Sequence, residues 1–286
     1  MPALPSAVGF LRLPGVGSDV GGRVARRVLL AVVLLAAWPV PAWSSYEAGL
    51  FAFNQGDYAT ALAELEPLAE QGHTPAQTAL GFMHANGLGV PRDHARAVHW
   101  FHRAAEAGNI QAANFLASHY AAGLGVAQDF ARAIEWFGRA AEAGHAEAQL
   151  NLGVLYEEGR GLPPDYEVAA RWYRRAADQG LSRAQLRLAR LFEVGRGVPE
   201  DEAEAVRWFR RAAQRGNNAA RTALGLRHIS GDGVEQDFVA AHMWLSLAEN
   251  LGDDSGAAIR DALELDMTEE QIEEARRRAR EWRPWR

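Results

Sequence analysis

The sequence predicts an all-α protein built as an α-solenoid, in which short helical hairpins repeat and stack along the chain. The first observation is that Trp recurs every 36 residues without an insertion or deletion. The second is that Gly and Asp recur in the same register. The in-phase series are Trp100, Trp136, Trp172, Trp208 and Trp244; Gly72, Gly108, Gly144, Gly180, Gly216 and Gly252; and Asp93, Asp129, Asp165, Asp201 and Asp237. Such periodicity is the signature of a repeat architecture.

The first helix of each unit is predicted by the spacing of its apolar residues. In the third unit, "AEAQLNLGVLYEEG" places Ala148, Leu152 and Tyr156 four residues apart, with Leu155 offset by one. This spacing is the period of a helix with one apolar face. Gly159 follows, and the helix is expected to end there because glycine readily takes the positive φ of a C-cap.

The second helix of the same unit follows the loop "GRGLPPD". Asp165 suits the N-cap because its carboxylate can accept the unpaired amide protons of the first helical turn. Gly180 is expected to cap the C-terminal end of the helix. The apolar side of the intervening stretch "YEVAARWYRRAADQG" consists of Ala169, Trp172, Tyr173, Ala176 and Ala177.

Two helices of this length cannot bury both apolar faces alone, so neighbouring units must stack. Residues 45–73 keep the register but carry Glu64 at the Trp position, which predicts an N-terminal capping hairpin. Residues 254–286 depart from the pattern and are predicted to form C-terminal capping helices. Among them, Thr268 and Gln271 have the spacing of a capping box.

The unit "AEAQLNLGVLYEEGRGLPPDYEVAARWYRRAADQG" resembles the Sel-one-like repeat (SLR) family, relatives of the tetratricopeptide repeats (TPR) with a longer Gly-x-Gly loop. The resemblance implies a right-handed SLR/TPR-like solenoid whose concave surface is lined by the first helix of each hairpin. The tail "AAIRDALELDMTEEQIEEARRRAREW" is also similar to the terminal segment of secreted bacterial members. The five full units are 74–109, 110–145, 146–181, 182–217 and 218–253.

Residues 1–42 are expected to be a secretory signal peptide. Arg23, Arg26 and Arg27 precede the apolar run "VLLAVVLLAAW", and "VPA" ending at Ala42 has the small residues of a cleavage site. The run covers 28–38, whereas a membrane-spanning helix needs about 20 residues. We therefore expect a periplasmic or secreted protein with no stable membrane insertion after cleavage. An uncleaved anchor is the alternative.

Composition excludes several chemistries. All 30 basic residues are Arg and the chain has no Cys, so lysine-dependent phosphate loops, Schiff bases, Ser-x-x-Lys pairs and thiol catalysis are absent. Removing residues 1–42 would remove four Arg and one Asp, which takes the net charge from −6 to −9. This acidic balance disfavours nucleic acid and anionic membranes as partners.

The repeated motifs are better explained by packing than by ligand binding. The Trp-aromatic pairs recur at one helical angle beside small residues, and the Gly-x-Gly loops follow helices rather than strands. His94, His99 and His102 share a helix, but metal-ligand spacing holds only for the last two, and a solvated face explains them better. The adjacent acids Glu157 and Glu158 lack a partner for acid-base chemistry. We expect no metal, no cofactor and no catalytic site.

Function is expected instead at non-core positions of the concave surface, where the residue type changes along the chain from neutral through acidic to basic. A groove with separate acidic and basic sections would orient an extended or helical segment of a partner. Ordinary surface variation is the alternative explanation. The candidate partner-binding residues are Asn114, Ser118, Glu147, Asn151, Glu157, Arg183, Arg187, Arg190, Thr222 and Arg227.

The sequence therefore favours a non-catalytic repeat scaffold that binds a protein. The resemblance implies roles such as regulating a sensor or assisting envelope or polysaccharide assembly. An envelope-associated binder of peptidoglycan or glycan is an alternative, and it predicts aromatic residues exposed in the groove. A β-lactamase-like hydrolase is a further alternative, although the missing lysine rules out its usual serine mechanism.

Overall fold

A computed structural model of the chain describes residues 45–249 and 254–283. The expected signal peptide, Gly252 and Trp285 lie outside the described residues. Within those residues the chain forms fourteen α-helices and no strand. They are α1 Ser45–Asn54, α2 Tyr58–Glu70, α3 Thr74–Asn86, α4 His94–Glu106, α5 Ile110–Ala122, α6 Phe130–Glu142, α7 Ala146–Glu158, α8 Tyr166–Asp178, α9 Ser182–Val194, α10 Glu202–Gln214, α11 Asn218–Ser230, α12 Phe238–Glu249, α13 Asp254–Glu264 and α14 Glu269–Glu281.

The helices pack in sequence order, each one against the next from α1 to α13. The predicted all-α solenoid is thus confirmed, with one helix pair in each 36-residue unit. The core consists largely of alanines, through which helices approach closely, and of larger apolar side chains on both helices of each unit. On the second helices, one series of buried aromatic or leucine side chains recurs in register. The members of this last series are Phe101, Phe137, Tyr173, Phe209 and Leu245.

The helix ends mostly follow the predicted caps. Asp165 Oδ1 accepts a 2.9 Å hydrogen bond from the amide of Val168, and Gly159 ends α7 with φ 67°. The expectation for Gly180 was wrong by one residue, because Gln179 is the C-cap of α8. Gly180 comes directly after the cap, with φ 88°, in the left-handed conformation that turns the chain into the next unit.

The second glycine of each loop brings consecutive units together. Gly125 has φ 71°, and a Cβ placed on it would lie 2.3 Å from the carbonyl carbon and oxygen of His94, at the start of α4 in the preceding unit. Any side chain there would collide with backbone. The loop glycines therefore shape the contact between units, which explains their repetition without a ligand.

The Trp residues lie at the seam between the second helices of consecutive units. Trp136, for example, has its ring centroid 5.8 Å from that of His102, one unit earlier. In four units the guanidinium three residues after the Trp covers its ring at 4.3 to 5.0 Å, which is a cation–π arrangement. The pairs are Trp100 with Arg103, Trp136 with Arg139, Trp172 with Arg175, and Trp208 with Arg211. The packing interpretation of these aromatic positions is confirmed.

The last unit is closed by α13 and α14, which both pack against α12. Trp244 has no Arg three residues later, and Trp282 at the end of α14 meets its ring instead, with centroids 6.0 Å apart. The predicted capping box of α14 is confirmed by reciprocal bonds between Thr268 and Gln271. Among the described helices, none is both long and apolar enough to cross a bilayer.

Candidate binding face

The first helices of the five units, α3, α5, α7, α9 and α11, form one side of the solenoid, which we call the first-helix face. Their side chains meet across neighbouring units, as Phe82 of α3 meets Phe115 of α5. All predicted partner-binding residues lie on these helices. The structure divides the face into two halves. The N-terminal half, which α1 extends, carries aromatic contacts, and the C-terminal half carries ion pairs.

The N-terminal half carries a line of phenylalanines. The ring centroids of Phe53 and Phe82, and those of Phe82 and Phe115, are each 6.1 Å apart, so α1, α3 and α5 are joined by successive aromatic contacts. All three rings are half-buried. Centroid distances of this size are typical of favourable aromatic pairs.

The predicted residues of α5 are less accessible than expected. Asn114 is only 6% exposed, and its Oδ1 is buried without a hydrogen-bond partner among the described residues. Its assignment as a surface position was therefore wrong, because α5 turns it towards the core. Ser118 is half-buried and donates a 2.9 Å hydrogen bond to the carbonyl oxygen of Asn114.

The C-terminal half carries ion pairs that join α7 to α9. The guanidinium of Arg183 donates to the carboxylate of Glu147, and that of Arg187 donates to Glu157 at 3.2 Å. The expectation of separate acidic and basic sections was wrong here, because neighbouring first helices interdigitate their opposite charges. Four of the predicted residues thus neutralise one another.

Glu157 has a second role in the same network. Its carboxylate also accepts a hydrogen bond from the hydroxyl of Tyr173, which is fully buried in α8. Burial, with a further contribution from that carboxylate, raises the pKa of Tyr173 far above its usual value, so the hydroxyl stays protonated and remains a donor. Glu157 therefore connects its own hairpin to the next unit through Arg187.

Arg227 continues this network between α9 and α11. The residue is 8% exposed, and its guanidinium donates a 2.5 Å hydrogen bond to Glu193 and lies 3.3 Å from the carboxylate of Glu202. The same guanidinium lies 4.9 Å from the centroid of the Phe209 ring. Its assignment as a surface position was wrong, since the long side chain folds inward to meet these groups. Glu193 was missed by the sequence analysis, although it stands 36 residues after Glu157 and, like it, pairs with an arginine of the next first helix.

The remaining predicted residues differ in exposure. Asn151 and Thr222 are half-buried, whereas Arg190 is exposed. Arg190 forms no ion pair or hydrogen bond with any residue in the described part of the chain. It is therefore a cation of the first-helix face that is available to a partner.

A buried polar series was also missed. Gln77, Gln149 and Gln185 each donate from Nε2 to a carbonyl oxygen eight residues earlier, at 2.9 to 3.0 Å. Arg221 occupies the same register, bonds to Ala213 O at 3.3 Å and to Leu247 O at 2.7 Å, and has Trp282 at 5.0 Å. The repetition of Gln was the available signal, and it indicates a structural role.

The three histidines of α4 contact different neighbours. His99 is exposed, and His102 lies 3.5 Å from Glu106 on the same helix. His94 is half-buried, with its ring 5.6 Å from that of His119. Within residues 45–249 and 254–283, no group of three or more His, Asp or Glu side chains is placed to hold a metal ion.

This fold and face define a helical-repeat protein of the α-solenoid class. More specifically, the chain belongs to the Sel1 repeat family. The family's repeat matches residues 74–109, 110–145, 146–181, 182–217 and 218–253. The resemblance noted in the sequence is thereby confirmed.

Two solved structures share the fold along most of the chain. One is a protective antigen of uropathogenic Escherichia coli with an SLR fold, at 31% identity, a TM-score of 0.75, and coverage of 83% of this chain and 53% of that one. The other is a Sel1 repeat protein from Oxalobacter formigenes, at 28% identity, a TM-score of 0.72, and coverage of 82% and 94%. This chain thus spans about half the length of the E. coli protein. No curated protein sequence matches it.

Proposed function

We propose that this chain is a non-catalytic scaffold, exported to the periplasm or the medium, that binds a protein partner through its first-helix face. Proteins built from Sel1 repeats are generally scaffolds for protein–protein interaction. The observation that supports this face is that core positions repeat between units whereas the face changes from aromatic to charged. A partner can recognise such a surface in one register and one direction.

The partner is proposed to supply an extended or helical segment, which is the form that a long repeat surface accommodates. Regulation of a sensor, or assistance in envelope or polysaccharide assembly, are the roles in which such a scaffold would act. Export is supported by the basic and apolar segments before Ala42.

A binder of peptidoglycan or glycan is a second candidate, and the aromatic line of Phe53, Phe82 and Phe115 favours it. These rings are half-buried and contact one another, which leaves them less surface for stacking on a sugar. A β-lactamase-like hydrolase is a weaker candidate because the chain has no lysine. Robust nitrocefin turnover by the purified protein would overturn the non-catalytic proposal.

Site-specific photocrosslinking in the native envelope fraction tests the proposed face. A photoreactive amino acid at Ala219, which is exposed on α11, is expected to trap a protein adduct of discrete mass. The matched control is Ala131, which is exposed on the second helix α6. Adducts of equal yield at both positions, or at neither, would contradict the proposal.

A further inference from the structure

Arg190 differs from the other arginines of the first-helix face. Arg183, Arg187 and Arg227 are each paired with a carboxylate of a neighbouring first helix, whereas Arg190 has no ion-pair or hydrogen-bond partner in the described ranges. From this contrast, and resting on the proposed function, we infer that Arg190 receives an acidic side chain of the bound segment, with apolar side chains of that segment beside it.

The carboxylates on the surrounding helices are already engaged. On α7, Glu147 binds Arg183, Glu157 binds Arg187, and Glu158 lies 2.6 Å from Arg160. On α9, Glu193 stands three residues from Arg190, but its carboxylate binds Arg227 at 2.5 Å. The protein therefore supplies carboxylate counter-ions for Arg183, Arg187 and Arg227 and leaves the charge of Arg190 for an external group.

Apolar side chains occupy the register positions next to Arg190. Val194 follows one helical turn later on the same face of α9 and is 53% exposed. Leu226 occupies the position equivalent to Arg190 on α11 and is 43% exposed, and Val154 occupies it on α7. Val194 and Leu226 are among the few large apolar side chains this exposed in the described part of the chain. A cation among exposed apolar groups fits a ligand with a carboxylate among apolar side chains.

The distance between neighbouring first helices determines how far apart the acidic and apolar residues of the bound segment must be. Packed helices lie about 8–10 Å apart. A segment in the extended polyproline II conformation advances about 3.1 Å per residue, and because it has three residues per turn, its side chains at i and i+3 lie on the same side. A polyproline II segment whose acid meets Arg190 would therefore place an apolar residue about three positions away, over Leu226 in one direction and Val154 in the other. The guanidinium fork suits Asp or Glu because it can donate two parallel hydrogen bonds to one carboxylate.

Selection of displayed random peptides on the purified full-length chain tests this inference. Peptides that bind are expected to share an Asp or Glu with apolar residues about three positions away. The selected peptides, resynthesised, are then titrated against wild type, Arg190→Ala and the control Arg171→Ala by fluorescence anisotropy. Arg171 is exposed on α8, so its loss removes the same charge from the opposite side of the hairpin.

We expect Arg190→Ala to weaken binding at least about tenfold, as loss of a central interface arginine commonly does, and Arg171→Ala to leave it unchanged. Replacing the peptide's acid by its amide should weaken binding to wild type but not to Arg190→Ala. Peptides that bind without an acidic residue, or equally to wild type and Arg190→Ala, would overturn the role of Arg190 while leaving the proposed function standing. If no peptide is enriched on wild type, both proposals fail.

Discussion

The two halves of the first-helix face are stabilised by different interactions between neighbouring units. From α1 to α5, the contacts across units are between phenylalanine rings. From α7 to α11, they are between Glu and Arg, and the last pair is nearly buried. Salt does not screen apolar contacts, whereas it screens ion pairs, which also require opposite charges in one register.

This difference shows why the charged residues cannot all be assigned to a partner. Most charged side chains of α7 and α9 form ion pairs with a neighbouring unit. Few of them remain unpaired and available to an external ligand. The three following predictions test this comparison, beginning with the largest expected effect.

Arg227→Ala should have the largest effect. It removes a nearly buried cation and leaves Glu193 and Glu202 without their shared partner, so we expect unfolding to become easier by about 3 kcal/mol. Urea denaturation followed by circular dichroism measures the change. Arg183→Ala is the matched control, and because its ion pair is exposed it should cost at most about 1 kcal/mol. Equal losses for the two variants would show that burial does not distinguish these pairs.

Phe82→Ala tests the aromatic half. Its ring contacts those of Phe53 and Phe115 but is only half-buried, so we expect a loss of about 2 kcal/mol, below that of a fully buried Phe. The loss should be the same at low and high salt, whereas the loss from Arg183→Ala should shrink as salt rises. Stability measured at two NaCl concentrations checks this, and a salt-dependent loss for Phe82→Ala would contradict the aromatic explanation.

His119→Leu tests a smaller, pH-dependent contrast. Burial lowers the pKa of His119, whose Nδ1 bonds to Phe115 O at 2.9 Å and whose Nε2 is buried. On acidification below the ordinary His pKa of about 6.5, the unfolded chain takes up a proton that the folded chain resists, so stability falls by at most about 1.4 kcal/mol per pH unit. Leu stands at the equivalent positions 155 and 191 and cannot titrate.

The variant should therefore lose less stability than wild type between pH 7 and pH 5, as measured by thermal unfolding across that range. Burial also lowers the pKa of His84, His145 and His228. The variant His228→Phe serves as the comparison for His119→Leu, because it removes another histidine whose pKa is lowered by burial. Parallel pH profiles for wild type and His119→Leu would refute the role of His119.

The sequence by itself determined the repeat length, the helix pairs, most caps and the structural role of the Trp and Gly series. These follow from local causes, because apolar spacing, a capping carboxylate and a glycine at positive φ act within one unit and recur every 36 residues. The capping box at Thr268 and the packing of the Trp residues were predictable for the same reason.

Only the tertiary structure decided which charges remain available. Whether Arg227 points inward, or Arg183 meets Glu147, depends on where the neighbouring unit places its side chains. The position of a residue within the repeat does not give the distance between two side chains of neighbouring units. Long arginine side chains reach across units, so residues that look exposed on one helix can be buried between two. The placement of side chains by neighbouring units also leaves Arg190 without a partner in the described part of the chain. Substitution of Arg190 is therefore the most direct test of binding.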